Sequence, residues 1–244
     1  GLKYLNQLKI SKEGLPSIVE PIFKKGTLNE QQQVITALGE MPLENTSVIL
    51  DGLIDQMLLE KLSSGVLLEL VETIHKTKSE KLTVKLEALM GNNYDAETYS
   101  ETLYGGNIKK GENYFLTDNS GQCIKCHNIT GKDGTVGPNL ANIGNILSRE
   151  QILEALIAPS ERLSPGFGMV SLTLKDGKNI TGTLLEEGEA ALIVRTSEVP
   201  LTVPVSSITK RENMASSMPP MGAIMSKREL RDMIAFLSAQ KAAN

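Results

Sequence analysis

The feature that most constrains this chain is the stretch Cys123-Ile124-Lys125-Cys126-His127, which contains both of its cysteines. With no other cysteine in the sequence, a framework of several disulfides is excluded. The C-x-x-C-H pattern is typical of the attachment site of a c-type haem. Each thiol adds to one vinyl group of the haem, and the adjacent histidine provides the proximal ligand to the iron. The sequence therefore predicts a haem c bound by Cys123, Cys126 and His127.

Two other interpretations of this motif are a zinc site and a redox-active dithiol. A tetrahedral zinc site needs four ligands, and His75 is the only Cys or His outside the motif. Because His127 directly follows Cys126, the two are awkwardly placed to bind the same zinc ion. A thioredoxin-like dithiol opens a helix after a strand, whereas residues 116–122 have the composition of a loop. Haem attachment is favoured, and the dithiol stays open.

Composition limits the remaining possibilities. A chain of 244 residues with 40% apolar residues suggests one or two globular domains. A net charge of -4 gives no electrostatic support for a nucleic-acid partner. No apolar run approaches the roughly 18 residues that span a bilayer, so no membrane span is expected. The chain opens with Gly1-Leu2-Lys3 and no signal peptide, which suggests a processed or excised piece of a longer protein.

The first part of the chain has the apolar spacing of helices. Over residues 1–105, Leu, Ile and Val recur at intervals of three and four residues, in short segments separated by turn signals. Thr27 and Glu30 are spaced as in a capping box at the start of the second segment. Short helices joined by short turns predict an α-solenoid-like domain over 1–105. Residues 92–110 are polar and contain glycines, which predicts a linker.

A short helix over 111–116 is expected to lead into the motif, and a glycine-rich loop follows it. Gly131, Gly134 and Gly137 suit a loop that passes closely around a flat ligand. The Pro138 carbonyl is placed to accept a hydrogen bond from the far nitrogen of His127. Such a bond would set the tautomer and the orientation of the imidazole ring.

The rest of the second part alternates between helix and strand signals. Capping-box sequences at 148–151 and 226–229 predict two helices. Between them, residues 168–208 alternate with a period of two, with turn signals at 176–177 and 187–188. The expected fold is therefore mainly α, with a solenoid-like domain over 1–105 and a haem domain over 106–244. The haem domain carries a small antiparallel β unit inserted at about 168–208.

A methionine is the expected sixth ligand of the iron. A thioether sulfur suits haem iron, and His/Met ligation raises its reduction potential. Met218 is followed by two prolines, which stiffen the backbone that carries its sulfur. Met221 on the same loop is the alternative ligand. If the sixth position were instead open, the chain would be a peroxidase-like haem enzyme, with His75 as its only spare histidine, or a haem-based sensor.

From Gly111 to Ala239 the sequence resembles class I cytochrome c. The similarity comprises the C-x-x-C-H motif, a Gly-Pro-Asn-Leu loop, a Met-Pro loop and a final helix. The sequence is more similar still to the Pirellula/Verrucomicrobium-type haem-binding domain. The further stretches that carry this similarity are Val136-Gly-Pro-Asn-Leu140, Ser148-Arg-Glu150, Ala158-Pro-Ser160, Asp176-Gly-Lys178, Thr181-Gly182 and Ser217-x-Pro219.

This resemblance implies a role for each motif residue. Cys123 and Cys126 match the thioether positions, His127 the proximal ligand and Met218 the axial methionine. In one departure from the family pattern, Pro220-Met221 replaces the more usual acidic-Gly pair after Met-Pro. This departure places a second thioether near the iron.

The helical region resembles HEAT-like repeats. In large sugar or alcohol dehydrogenase-like proteins, such repeats lie between a β-propeller and the haem domain. The resemblance implies an electron-transfer module that is not catalytic alone and accepts electrons from a fused dehydrogenase domain or a redox partner. It also implies a periplasmic or otherwise extracytoplasmic location, because haem c is attached outside the cytoplasm.

Overall fold

The computed structural model describes residues 10–91, 99–117, 122–131 and 136–241. The chain divides into two compact units, Gly1–Asn107 and Ile108–Asn244. This division lies close to the predicted change of domain between residues 105 and 106. Each unit has its own core and is described by itself.

The first unit is helical in its described residues. Its helices are α1 (Leu15–Lys25), α2 (Leu28–Leu38), α3 (Leu43–Leu58), α4 (Leu67–Thr77) and α5 (Glu80–Met90). The capping box predicted at Thr27 is present, since the Thr27 side chain accepts from the Glu30 backbone and the Glu30 carboxylate accepts from Thr27. One continuous apolar core runs through the unit and includes Leu15, Ile35, Leu50 and Ile74, all fully buried. Helix α2 packs on α4, and α3 packs on α5. The solenoid-like stacking of helix pairs stays a prediction.

The predicted linker over 92–110 is wrong for its second half. Residues 92–98 lie outside the described part of the chain. Beyond them, Ser100–Thr102 form a short 3-10 turn in which Glu101 and Thr102 are buried. The Gln32 side-chain amide ties this segment to α2, because it donates to the carbonyls of Gly65 (2.8 Å) and Gly105 (3.0 Å). The segment is therefore part of the helical unit, and the next helix already begins at Ile108.

The second unit contains the helices α6 (Ile108–Thr117), α7 (Ile143–Ile146), α8 (Arg149–Ile157) and α9 (Lys227–Ser238). Both capping boxes predicted here are present, at Ser148 and at Ser226. Helices α6 and α9 cross in close contact, and Phe115 stacks at a tilt on Phe236 with ring centroids 5.6 Å apart. At the crossing, a Cβ on Gly111 would lie 2.1 Å from the carbonyl oxygen of Asp232. This crossing needs glycine because the two backbones touch there.

Five antiparallel strands form a single sheet. The strands are β1 (Gly168–Leu174), β2 (Asn179–Glu187), β3 (Ala191–Arg195), β4 (Leu201–Pro204) and β5 (Ile208–Asn213). Their order across the sheet is β4-β3-β2-β1-β5. Both predicted turns connect neighbouring strands, at 176–177 and 187–188. The unit extends beyond the predicted end at about 208, because β5 pairs with the free edge of β1. Strand β5 is polar and mostly exposed, so it lacks the alternation that marks a half-buried strand.

The helices and the antiparallel sheet together make the chain a mixed α and β protein. The expected combination of elements is present, although the description as mainly α understates the sheet. None of the described helices is long and apolar enough to cross a membrane.

Candidate functional site

A cleft in the second unit gathers the sequence motifs that point to chemistry. It opens to solvent and has a volume of about 200 Å³. Its walls come from α6, the segment around the C-x-x-C-H motif, α8 and the residues after it, the 216–221 loop and α9. The predicted site residues that line it are Cys123, Cys126, His127, Pro138, Met218 and Met221. The fold thus brings all of the predicted site residues to one cleft.

The C-x-x-C-H motif forms a tight turn. Cys123–Lys125 adopt a 3-10 conformation, and the Cys123 carbonyl accepts from the backbone N–H groups of Cys126 (3.1 Å) and His127 (2.9 Å). The two cysteines are thiols; Cys123 is half-buried and Cys126 is exposed. The turn directs two thiols and one imidazole to the same cleft over five residues.

The His127 ring is held by the loop that follows it. The Nδ1 atom lies 2.9 Å from the carbonyl oxygen of Pro138, the contact expected from the sequence. A carbonyl oxygen accepts and cannot donate, so Nδ1 carries the proton. The Nε2 atom of the neutral ring is then left with its lone pair, which is the form that binds a metal.

Two backbone bonds fasten this loop to the motif. The Gly137 N–H donates to the Cys126 carbonyl (3.0 Å), and the Leu140 N–H donates to the Asn128 carbonyl (2.8 Å). At Gly137 the loop passes so close to the imidazole that a Cβ would lie 2.7 Å from Cε1 and 2.8 Å from Nδ1 of His127. The His127 ring therefore packs directly against the backbone of Gly137, which has no side chain.

Replacing Gly137 by alanine should displace the His127 ring. The added methyl group overlaps the imidazole, so we expect the bond to Pro138 to lengthen and the unfolding free energy to fall by about 1–3 kcal/mol. The imidazole nitrogen chemical shifts of His127, which report the tautomer, would show a smaller fraction of the Nδ1–H form. Gly182→Ala is the control, because its Cβ would meet the Arg195 carbonyl at 2.5 Å, away from this ring. An unchanged tautomer in Gly137→Ala, with stability lost equally in both variants, would contradict this role of Gly137.

The loop that carries Met218 is anchored to the segment that follows α8. The Ser216 N–H donates to the Ser160 hydroxyl (3.1 Å), and the Ser216 hydroxyl accepts from the Met218 N–H (3.1 Å). The Asn213 side-chain amide donates to the carbonyls of Ser160 (3.0 Å) and Glu161 (2.9 Å). These bonds hold the backbone of Met218 beside the cleft, and its side chain is half-buried there.

Three methionines line the cleft, Met218, Met221 and Met233. Met221 and Met233 are almost fully buried, at 2% and 1% exposure. Met214 is 44% exposed and does not line the cleft. His75 lies in the helical unit, where it is exposed in the last turn of α4.

Sequence reasoning missed several residues of the cleft wall. Helix α6 contributes Phe115, and the segment after α8 contributes Arg162, Leu163, Ser164 and Phe167. The available signal was Pro159, which follows the last turn of α8 and prevents the helix from continuing. The spacing along the chain gave no indication that this segment and the 216–221 loop are neighbours.

The residues present fit a covalently bound haem. The donor set is one neutral imidazole with a defined tautomer, two thiols on the same turn and three thioethers, all on one largely apolar cleft. The bare backbone at Gly137 lets the loop lie close to the imidazole. Within the described part of the chain, no cluster of three or more His, Cys, Asp or Glu is arranged to hold a bare metal ion.

No protein-family model matches the chain, and no curated protein sequence matches it significantly.

Proposed function

We propose that this chain is a c-type cytochrome module that transfers electrons through a covalently bound haem. The observation that carries the proposal is the placement of Cys123, Cys126, His127 and Met218 on one cleft, with the His127 tautomer set by Pro138. When bound, the haem iron would accept one electron from a reduced partner and pass one electron to an oxidised partner.

The two thiols of the motif would attach the cofactor. Each thiol adds its sulfur and its hydrogen across one vinyl double bond, so a carbon–sulfur bond forms and nothing is released. No oxidant is needed for this step, although both cysteines must be reduced. Attachment at these two positions would hold the cofactor next to His127, the residue that follows Cys126.

The two ligands of the haem iron would come from different loops. His127 would supply Nε2, and its Nδ1 bond to Pro138 keeps the ring oriented. Met218 would supply the thioether on the other side, with Met221 as the alternative. The apolar walls, which include Phe115, Leu156 and Leu237, would exclude water and so help to set the reduction potential.

The sequence resemblance extends this proposal beyond the haem unit. We propose that the first unit is a HEAT-like helical domain that acts as a spacer or docking platform. On this proposal, the chain is the electron-accepting part of a larger dehydrogenase, or receives electrons from a separate redox protein. Its location would be periplasmic or otherwise extracytoplasmic, where haem c is attached.

Expression with haem-attachment machinery in a bacterial periplasm tests the proposal directly. We expect one haem per chain, which stays on the polypeptide after denaturation and acid–acetone extraction. The Cys123→Ser/Cys126→Ser double variant should lose all covalently bound haem, because the thioether links cannot form. A wild-type chain that contains no haem, or whose haem is fully extracted, would overturn the proposal.

The same preparation distinguishes electron transfer from haem catalysis and ligand sensing. If Met218 occupies the sixth position, the ferric protein should be low-spin and should bind cyanide slowly, because a ligand must first leave. Rapid cyanide binding by a high-spin ferric protein would favour a peroxidase-like enzyme. Carbon monoxide binding to the reduced protein without displacement of a ligand would favour a sensor.

A further inference from the structure

Besides Gln122 and the C-x-x-C-H motif, two segments that are distant in sequence bring polar side chains to the cleft. Arg162 and Ser164 follow α8, while Ser216 and Ser217 precede Met218, and all four line the cleft. The bonds from Ser216 and Asn213 to residues 160 and 161 hold these two segments side by side. The hydroxyl and guanidinium donors are therefore concentrated where the two segments meet.

The walls from α6, α7 with its C-cap residue, α8 and α9 are apolar. They consist mainly of Phe115, Ile143, Leu147, Ile152, Met233 and Leu237. Among the described residues of the cleft, Arg162 is the one side chain with a permanent charge. A haem has the same asymmetry, since its macrocycle is apolar and its two propionates project from one edge.

Arg162 has donors to spare for an anionic group. Its Nε and Nη2 atoms donate to Oε2 of Glu154 at 3.3 and 3.2 Å, which uses two of the five guanidinium hydrogens. Both side chains of this pair are about two-fifths exposed, at 42% and 45%. Such exposed pairs contribute little stability, so the guanidinium can turn toward a nearby carboxylate at small cost.

We propose that Arg162, assisted by the Ser164 and Ser216 hydroxyls, binds the propionate edge of the haem. The inference rests on the proposed function and adds to it the orientation of the cofactor in the cleft. It also gives Arg162 a function in the redox chemistry. A guanidinium beside the propionates compensates their negative charge, and this favours the reduced iron, which has one positive charge fewer.

Reduction potentials of the haem-loaded 244-residue chain test this inference. In Arg162→Gln, we expect the equilibrium constant for reduction to fall roughly three- to tenfold, a decrease in potential of up to about 59 mV. Arg162→Lys keeps the charge and should stay within about twofold of wild type. Glu154→Gln removes the competing carboxylate and should shift the equilibrium constant toward reduction.

The chain contains a matched control for both charges. Arg211 and Glu187 form a second Arg–Glu pair in the same unit, on the sheet and outside the cleft. Arg211→Gln and Glu187→Gln change the net charge by the same amounts. We expect both to leave the equilibrium constant nearly unchanged, because solvent and salt screen distant charges.

Equal shifts in Arg162→Gln and Arg211→Gln would overturn the assignment of Arg162. If Arg162→Gln does not fold, Glu154→Gln is compared with Glu187→Gln instead. Equal shifts of the equilibrium constant for reduction in these two variants would also overturn the assignment of Arg162. A wild-type chain without covalent haem would refute the proposed function itself. If the wild-type chain carries covalent haem but Arg162→Gln and Arg211→Gln shift the equilibrium constant equally, only the role of Arg162 is refuted.

Discussion

Replacing Met218 by alanine is expected to lower the reduction potential of the haem-loaded protein and to remove the spectroscopic signature of methionine–iron bonding. Axial ligands set haem potentials over a range of roughly 0.8 V, and His/Met ligation lies toward its upper part. Loss of the thioether should therefore shift the potential by a substantial fraction of that range. It should also open the sixth position to cyanide and carbon monoxide.

The expectation rests on how the loop holds the Met218 backbone. Its N–H bonds the Ser216 hydroxyl, Ser216 is tied to Ser160, and two prolines follow directly. Little conformational entropy remains for this segment to lose when the sulfur binds iron. Its half-buried side chain already lies at the cleft that His127 lines.

Two further methionine variants are the controls. Met221 and Met233 line the same cleft and are more deeply buried than Met218. Met221→Ala and Met233→Ala should cost about 2–5 kcal/mol of stability, as large-to-small core changes do, and keep the methionine–iron signature. If Met221→Ala loses that signature and Met218→Ala keeps it, the ligand is Met221. The measurements are the ferric absorption spectrum and a potentiometric titration of each variant.

Replacing Gly111 by alanine is expected to destabilise the second unit by about 2 kcal/mol or more. The new Cβ would lie 2.1 Å from the Asp232 carbonyl oxygen and 2.6 Å from Cβ of Phe236, so α6 and α9 must separate. Overpacking of this kind costs typically 1–3 kcal/mol, occasionally more. The contact with Asp232 is to backbone, which cannot move aside as a side chain would.

Gly52→Ala is the matched control for this prediction. Gly52 also lies inside a helix, α3, but no atom lies within 4 Å of the position its Cβ would take. Alanine is favoured over glycine in a helix interior by about 0.8–1.0 kcal/mol, so this variant should be as stable as wild type or more so. Opposite signs of the change in unfolding free energy in Gly111→Ala and Gly52→Ala would identify the helix crossing, rather than helix propensity, as the cause.

Thermal and urea unfolding of both variants, followed by far-UV circular dichroism, provides the measurement. The same change should loosen the cleft, because Phe115 on α6 and Met233 on α9 both line it. We therefore expect faster amide hydrogen exchange in α6 and α9 of Gly111→Ala. If Gly111→Ala were as stable as wild type or more stable, the prediction would be wrong, because α6 and α9 would then tolerate a wider separation.

Features that depend on neighbouring residues could be predicted from the sequence. The capping boxes at Thr27, Ser148 and Ser226 were confirmed, because a cap is a contact between residues three apart. The turn at 176–177 and the alternating strands were confirmed for the same reason. The bond from His127 to Pro138 was expected because only a short loop separates them, and it is present.

Features that depend on distant segments appeared only in the tertiary structure. Strand β5 is polar, and its pairing comes from the backbone edge that β1 offers rather than from a hydrophobic pattern. Arg162 lines the cleft, and the Ser216–Ser160 bond holds its segment beside the Met218 loop, which lies more than fifty residues later in the chain. Gly111 is required by a helix that begins more than a hundred residues later.

The sequence by itself therefore determined which donor atoms this chain carries, since C-x-x-C-H, the Gly-Pro loop and the Met-Pro loop are local patterns of donor atoms. Only the tertiary structure decided that these donors share one cleft, and which side of that cleft is charged. The physical reason is that donor identity belongs to single side chains, whereas convergence depends on helix crossings and hydrogen bonds between segments far apart in the chain.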